Sequence, residues 1–176
     1  MDILPDVLGP GLKVVFCGMA AGNRSARIGA YYAGRGNRFW EVLHRIGLTP
    51  YRLRPEEYPN LLHYGIGLTD LVKSAFGNDR ALKKVSFDVA GLRGRLEKAA
   101  PKAVAFNGKR AAVAFLGHPV GYGLQAEKLG PSALFVLPST SGAAWAYWNE
   151  EYWHELAEYV GRYGPEQCPR HERGPI

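Results

Sequence analysis

Apolar residues occur along the chain in short uninterrupted runs, and segments with helical spacing separate these runs. Three runs predict buried parallel strands over residues 13–18, 102–107 and 133–138, and a weaker run predicts a fourth strand over residues 65–71. Apolar positions three and four residues apart predict helices over residues 38–46, 55–64, 88–99 and 109–116, with a last helix starting near Asn149. This alternation predicts an α/β fold, a three-layer α/β/α sandwich with a mainly parallel central sheet.

The ends of the predicted strands point to one common site. In α/β sheets, ligands bind outside the carboxyl ends of the strands. The predicted strands end at residues 18–20, 69–70, 107–109 and 138–142. We therefore expect these four segments to lie together around one ligand site.

The segment after the first strand, residues 18–40, is rich in glycine, arginine and aromatic residues. Glycine lets a backbone approach a ligand closely and present its N–H groups. No Asp or Glu occurs between Val7 and Trp40, a stretch that holds five basic residues: Lys13, Arg24, Arg27, Arg35 and Arg38. We predict a long, flexible, cationic loop that binds a flat, anionic ligand on one strongly positive face of the protein.

Length and composition indicate a single domain. With 176 residues and 47% hydrophobic content, the chain suits one globular domain over residues 1–163, and the polar residues 164–176 predict a loosely ordered tail. The formal net charge of +6 favours an anionic partner, most commonly nucleic acid, although such a charge can also serve solubility alone.

Cysteine usage and hydropathy limit the class of protein further. Cys17 and Cys168 are too few for a four-cysteine zinc site or an iron-sulfur cluster, so we expect no metal and no cofactor. The sequence has no signal-peptide pattern and no apolar stretch near 18 residues. We therefore expect a soluble, cytoplasmic, nucleoid-associated monomer without a membrane partner.

Several common enzyme motifs are absent from the sequence. No Gly-Lys-Ser/Thr closes the glycine-rich segment, no Gly-x-Gly-x-x-Gly follows the first strand, and no Gly-x-Ser-x-Gly elbow occurs. The five histidines are scattered and none lies at a predicted strand end. These absences disfavour nucleotide-cofactor chemistry and histidine-based catalysis.

Several blocks of the sequence resemble one family, in the order that the family has them. These blocks are GMAAG at 18–22, GAYY at 29–32, NRFW at 37–40, GIGLT at 65–69, FNGK at 106–109 and LPSTSG at 137–142. Between about Val14 and Val160 the chain resembles the uracil-DNA glycosylase superfamily, most closely its mismatch-specific uracil/thymine branch. The resemblance implies an enzyme that extrudes a base from DNA into a pocket.

The resemblance also implies roles for particular residues. Base-binding positions are Ala20, Ala21, Gly22, Tyr32 and Asn107, with Tyr32 rather than Tyr31 as the ring that stacks on the base. DNA-binding positions are Arg24, Ser25, Lys109, Ser139, Ser141, Gly142 and Trp145. Asn107 alternatively caps the helix that follows it. Trp145 either enters the duplex as a wedge or belongs to the core.

Ala20 departs from the resemblance. The mismatch-specific branch has a water-positioning Asn at this position, and alanine cannot hydrogen-bond through its side chain. Another branch also has Ala there, followed by Asn-Arg-Thr, which Asn23-Arg24-Ser25 resembles. That branch binds an iron-sulfur cluster, for which this chain lacks the cysteines.

Two residues are candidates for the catalytic role that Ala20 cannot perform. Asp70 is the only acid in the four strand-end segments, and a carboxylate there can orient water and stabilise a developing sugar cation. Its alternative role is the N-cap of a helix after Thr69. Asn23 is the second candidate, and its alternative role is a turn residue with a left-handed backbone.

These residues predict a monofunctional DNA glycosylase that hydrolyses the N-glycosidic bond of uracil in single- or double-stranded DNA and leaves an abasic site. Two alternatives remain open. One is a catalytically weak module of the same fold that binds damaged DNA, and the other is a nucleoside or nucleotide hydrolase that uses the same base pocket.

Overall fold

A computed structural model describes residues 1–83 and 87–163. Within them, one five-stranded sheet has the strand order β2-β1-β3-β5-β4. Its strands are β1 (Val14–Ala21), β2 (Ile66–Phe76), β3 (Ala103–Asn107), β4 (Gly123–Leu129) and β5 (Ser132–Leu137). The first three and β5 are parallel, whereas β4 runs antiparallel to β5 at the edge. The predicted tail at 164–176 lies outside the described residues.

Helices connect the strands and cover both faces of the sheet. They are α1 (Asn23–Ile28), α2 (Phe39–Arg45), α3 (Asp79–Leu82), α4 (Val89–Ala99), α5 (Lys109–Leu116) and α6 (Glu151–Val160), with 3-10 helices at Pro55–Tyr64 and Gly142–Tyr147. Apolar side chains of α2 and α6 pack on one face of the sheet, and those of α4 and α5 pack on the other. The prediction of an α/β/α sandwich around a mainly parallel sheet is confirmed.

Several elements near the sheet edges and the site differ from the predictions or were not predicted. β4 was not predicted because most of its side chains are exposed, so it lacks an apolar run, as is common for an edge strand. Residues 55–64 form a 3-10 helix rather than an α-helix, and Pro59 inside it cannot donate the backbone hydrogen bond that an α-helix needs. Part of the predicted flexible loop is the ordered helix α1.

Candidate active site

A cavity of about 940 Å³ opens at the carboxyl ends of the parallel strands. All four strand-end segments that were expected to converge contribute to its wall, through residues 18–23, Asp70, 107–111 and 139–144. Tyr32 and Arg35 line it from the segment between α1 and α2. The parallel sheet brings these residues together because successive strands end at the same edge.

Asp70 supplies a buried carboxylate to this cavity. It lies within β2 rather than at a strand end, because β2 continues to Phe76, and it pairs in register with Gly18 of β1. The residue is only 4% exposed. The alternative role as a helix N-cap is therefore wrong, since no helix begins at this point. Among the described residues, Asp70 is the only acid that lines the cavity.

Burial changes the acidity of this carboxyl group. The pKa of Asp70 is raised from its usual 3.8 to about 7. Desolvation by burial is the main cause, the Lys73 ammonium partly opposes it, and the Asp6 carboxylate adds to it. A carboxyl group with a pKa near neutrality can accept and return a proton at physiological pH.

A charged cluster that the sequence did not reveal lies beside Asp70. Thr69 Oγ1 donates to Asp6 Oδ1 at 2.7 Å, Lys73 Nζ lies 2.7 Å from the same oxygen, and Arg95 Nε lies 2.9 Å from Asp6 Oδ2. An antiparallel bridge between Val7 and Leu68 brings Asp6 to this place from the amino-terminal segment. No local motif predicts this contact, because 63 residues separate its partners.

Tyr31 and Tyr32 have different environments although they are adjacent. The Tyr31 ring is buried, and its hydroxyl donates to the Pro5 carbonyl and accepts from Lys73 Nζ, each at 3.1 Å. The Tyr32 ring is half-buried, lines the cavity and stacks on Phe39, with ring centroids 4.1 Å apart. Both residues line the cavity, and Tyr32 has the more exposed ring of the two, while Tyr31 anchors the amino-terminal segment.

Tyr32 also has an unusual backbone and an unpartnered hydroxyl. Its φ of 52° lies in the left-handed region, which is uncommon for a bulky residue. The hydroxyl oxygen is buried and makes no hydrogen bond of normal geometry among the described residues. Burial and the Asp70 carboxylate raise the pKa of Tyr32 well above its usual value, whereas the Asn107 side chain opposes that shift.

Helix α1 holds three of the predicted site residues. Asn23 is its first residue and is exposed on the cavity wall, so the alternative role as a left-handed turn residue is wrong. Arg24 is half-buried. Ser25 is 4% exposed, and its Oγ accepts a hydrogen bond from Ala33 N at 3.0 Å. The structure thus gives Ser25 an internal contact, and the residue also lines the cavity.

The end of β1 leads directly into the cavity wall. Ala20 is half-exposed, Ala21 is buried, and the exposed Gly22 precedes α1 in an extended conformation. All three residues line the cavity. Ala21 also accepts a hydrogen bond from Gly77 N, which ties the end of β1 to the segment after β2.

Asn107 and Thr140 connect the ends of β3 and β5. Asn107 Nδ2 donates to Thr140 Oγ1 at 2.9 Å, and Asn107 Oδ1 accepts from Thr140 N at 3.0 Å. The cap of α5 is Gly108, with no side-chain hydrogen bond, so the alternative role of Asn107 as a helix cap is wrong. Asn107 lines the cavity and fixes the position of the 139–142 segment.

The segment after β5 contains three predicted DNA-binding residues. Ser139 is half-buried and its Oγ accepts from Ser141 N, while Ser141 Oγ accepts from Ala143 N and caps the following 3-10 helix. A Cβ at Gly142 would lie 3.4 Å from the Gly36 carbonyl oxygen. The segment is therefore held close to the glycine-rich segment that precedes α2.

The basic residues do not all lie on one face. Lys13 immediately precedes β1, so it lies at the amino ends of the parallel strands, away from the cavity. Its Nζ donates to the Gly161 carbonyl. The prediction of a single positive face for residues 13–38 is therefore wrong. The basic residues that line the cavity come from several elements: Arg35, Arg80, Lys109 and Arg110.

Trp145 lies on the surface beside the cavity mouth. Its side chain is 63% exposed, so the alternative role as a core residue is wrong. The Arg38 guanidinium carbon lies 3.5 Å from the centroid of the Trp145 ring, and the neighbouring Tyr147 is 70% exposed. An exposed aromatic ring of this kind can stack on a base, and the guanidinium beside it can contact a phosphate.

A family profile described as the uracil DNA glycosylase superfamily matches residues 5–159. The chain belongs to this superfamily. It is also similar to a solution NMR structure from Methanosarcina acetivorans, described as a putative uracil DNA glycosylase. That similarity covers 89% of this chain and 94% of the other, with 23% sequence identity and a TM-score of 0.57. At this identity the structural likeness establishes the fold.

Two further observations concern the described part of this superfamily member. None of its helices is long and apolar enough to cross a membrane. Within the same residues, no group of three or more His, Cys, Asp or Glu side chains has the arrangement of a metal site.

Proposed function

We propose that the protein is a monofunctional DNA glycosylase that extrudes uracil from DNA and hydrolyses its N-glycosidic bond, leaving an abasic site. The observation that carries this proposal is the buried Asp70 carboxylate at the wall of a cavity formed by four strand ends. Superfamily membership supports the same reaction class.

Asp70 would act on the attacking water. Its ionised carboxylate accepts a hydrogen bond from that water and takes one of its protons as the oxygen bonds to the sugar C1′. The same negative charge stabilises the positive charge that develops on the sugar. The raised pKa of Asp70 suits this role, because a carboxyl group of ordinary acidity is a weaker base.

Other residues of the cavity lining would hold the base. The exposed face of Tyr32 stacks on the extruded pyrimidine, and Ala20, Ala21, Gly22 and Asn107 contact its edge through backbone and amide groups. Hydrogen-bond donors that are already aimed at a departing anion contribute about 3 kcal/mol each to transition-state stabilisation. Asn23, exposed on α1, is a second polar side chain within the cavity wall.

The DNA backbone would lie across the mouth of the cavity. Lys109 and Arg24 would neutralise phosphates, Ser139, Ser141 and Gly142 would bring backbone groups to the strand, and Trp145 would fill the vacated position in the duplex. We propose that the chain acts as a cytoplasmic, nucleoid-associated monomer on single- or double-stranded uracil DNA, without metal or cofactor.

Within the superfamily, we propose that this chain stands closest to the mismatch-specific uracil/thymine branch. The branch's water-positioning Asn corresponds to Ala20, and its function passes to Asp70 on the adjacent strand. Asp70 can take over the water-positioning role because it lines the same cavity as Ala20 at the end of β1.

The direct test is release of free base from oligonucleotides that contain uracil, in single and double strands, under excess enzyme. We expect uracil release by the wild type and a loss of at least about a hundredfold in Asp70→Asn, a typical contribution of a general base. Asp88→Asn is the matched control, because Asp88 lies outside the cavity and Asn can still accept the Gly91 N–H.

Two outcomes would contradict the proposal. Tight binding of uracil DNA without base release would favour the damaged-DNA-binding module. Release of base from free nucleosides, with binding to long DNA that hardly depends on salt, would favour the small-molecule hydrolase.

A further inference from the structure

The Tyr32 hydroxyl is a buried polar group that the fold does not satisfy. Its oxygen makes no hydrogen bond of normal geometry within the described part of the chain, although the Asn107 side chain lies close enough to lower its pKa. A phenylalanine would stack on Phe39 and on a base equally well without burying a hydroxyl. The left-handed backbone at Tyr32, with φ of 52°, lowers the stability of the fold further. An unsatisfied buried hydroxyl at the wall of a ligand cavity calls for an explanation, and a partner that arrives with the ligand supplies one.

The hydroxyl faces the same small space as the Asp70 carboxylate. A Cβ placed on Gly18 would lie 2.6 Å from Asp70 Oδ1 and 3.1 Å from the Tyr32 hydroxyl oxygen. Both oxygens therefore lie above Gly18, which has no side chain to separate them. Stacking on Phe39 fixes the Tyr32 ring, so the hydroxyl cannot turn away without disturbing that contact.

We propose that Tyr32 and Asp70 hold the attacking water between them, which makes Tyr32 a catalytic residue as well as a stacking ring. This inference rests on the proposed glycosylase function. The Tyr32 hydroxyl donates a hydrogen bond to one lone pair of the water, and the water donates one O–H to Asp70. The second lone pair remains free to attack the sugar C1′.

The step balances without a further reactant. The water oxygen bonds to C1′ while the bond from C1′ to the base nitrogen breaks and its electron pair leaves with the base. Asp70 takes one water proton, the other stays on the new sugar hydroxyl, and the departing base is protonated from solvent. The pKa of Tyr32 stays well above its usual value, so the hydroxyl remains a donor throughout.

The test is a double-mutant cycle on Tyr32→Phe and Asp70→Asn, measured by single-turnover cleavage of uracil DNA. We expect Tyr32→Phe to lower the cleavage rate about tenfold in the wild type, as for loss of one hydrogen bond. We expect less than about a twofold effect in the Asp70→Asn background, because both groups act on the same water. Affinity for uracil DNA should change by less than about twofold.

A control and a stability measurement separate this role from packing. Tyr159→Phe removes a hydroxyl from α6, outside the cavity lining, and should leave the rate unchanged. Tyr32→Phe should not lower the melting temperature, because its hydroxyl forms no internal hydrogen bond.

The possible results are distinguishable. Equal rate losses from Tyr32→Phe in both backgrounds, an unchanged rate, or a clear fall in melting temperature would each overturn the water-holding role while the glycosylase function stands. A wild-type protein that releases no uracil would overturn the proposed function, and this inference with it.

Discussion

Gly18 and Asp70 lie opposite each other in the register of β1 and β2, and the Asp70 carboxylate occupies the space above Gly18. A Cβ on residue 18 would lie 2.6 Å from Asp70 Oδ1, closer than real Cβ contacts allow. Glycine is therefore required at this position by the carboxylate of the neighbouring strand, and not by backbone conformation, since φ here is not positive.

Gly18→Ala should displace the Asp70 carboxylate and lower single-turnover cleavage of uracil DNA by at least about tenfold, because small misplacements of a catalytic group are costly. The far-UV circular dichroism spectrum should not change. Gly94→Ala is the control: nothing lies within 4 Å of the new methyl group, so the rate should be unaffected. A fully active Gly18→Ala protein would contradict the assigned position of Asp70.

Asp70 should make the protein less stable as the pH rises. Because its pKa is raised from 3.8 to about 7, the folded state binds more protons than the unfolded state between these values. The free energy of unfolding therefore falls as pH rises from about 4 to about 7. Asp70→Asn should remove this slope, and its free energy of unfolding should exceed that of the wild type by on the order of 4 kcal/mol at pH 8. Urea unfolding at pH 5 and pH 8 measures both quantities, and parallel curves for the two proteins would contradict the raised pKa.

Asn107→Ala should destabilise the protein through the 139–142 segment. The substitution removes two hydrogen bonds and leaves the Thr140 N–H buried without its partner. We expect a loss of about 2 kcal/mol, or about 6 °C in melting temperature for a chain of this length. Thr140→Val keeps the backbone hydrogen bond and should cost less. Equal losses in the two variants would show that the amide bond to the backbone contributes little.

Lys109→Ala should reduce the salt dependence of DNA binding. Lys109 is exposed at the cavity wall, where it contacts the Tyr122 ring, and a phosphate contact there would release about one counterion. The slope of log K against log salt should fall by about 1. Lys98→Ala removes the same charge from the end of α4, outside the cavity lining, and should leave the slope unchanged. Equal slopes for all three proteins would exclude the phosphate contact.

Trp145→Ala should weaken binding to duplex uracil DNA by about 1 to 3 kcal/mol, the usual loss when a stacking aromatic ring is removed. Thermal stability should change little, because the side chain is 63% exposed. Trp145→Phe retains an aromatic face and should recover most of the affinity. Fluorescence titration with duplex and single-stranded oligonucleotides measures the effect, and an equal loss on both would argue against a wedge in the duplex.

The fold was largely predictable because burial imposes a strong pattern. The strands β1, β3 and β5 are covered on both faces, so each appears in the sequence as an uninterrupted apolar run. Helices α4, α5 and α6 each present a recognisable apolar stripe. Prediction was poorer for β4 and α1, where few side chains are buried and tertiary contacts determine the conformation.

The family resemblance, the alternation of strands and helices, and the strand-end segments that form the site are all predictable from the sequence, because they depend on local pattern and on the geometry of parallel sheets. The chemistry of that site depends on the tertiary structure. Burial of Asp70, its position over Gly18 and the unpartnered Tyr32 hydroxyl all depend on which strands become neighbours. The charged cluster around Asp6 depends on a contact across 63 residues. A pKa is set by surroundings that are distant in sequence, so no local pattern could have predicted it.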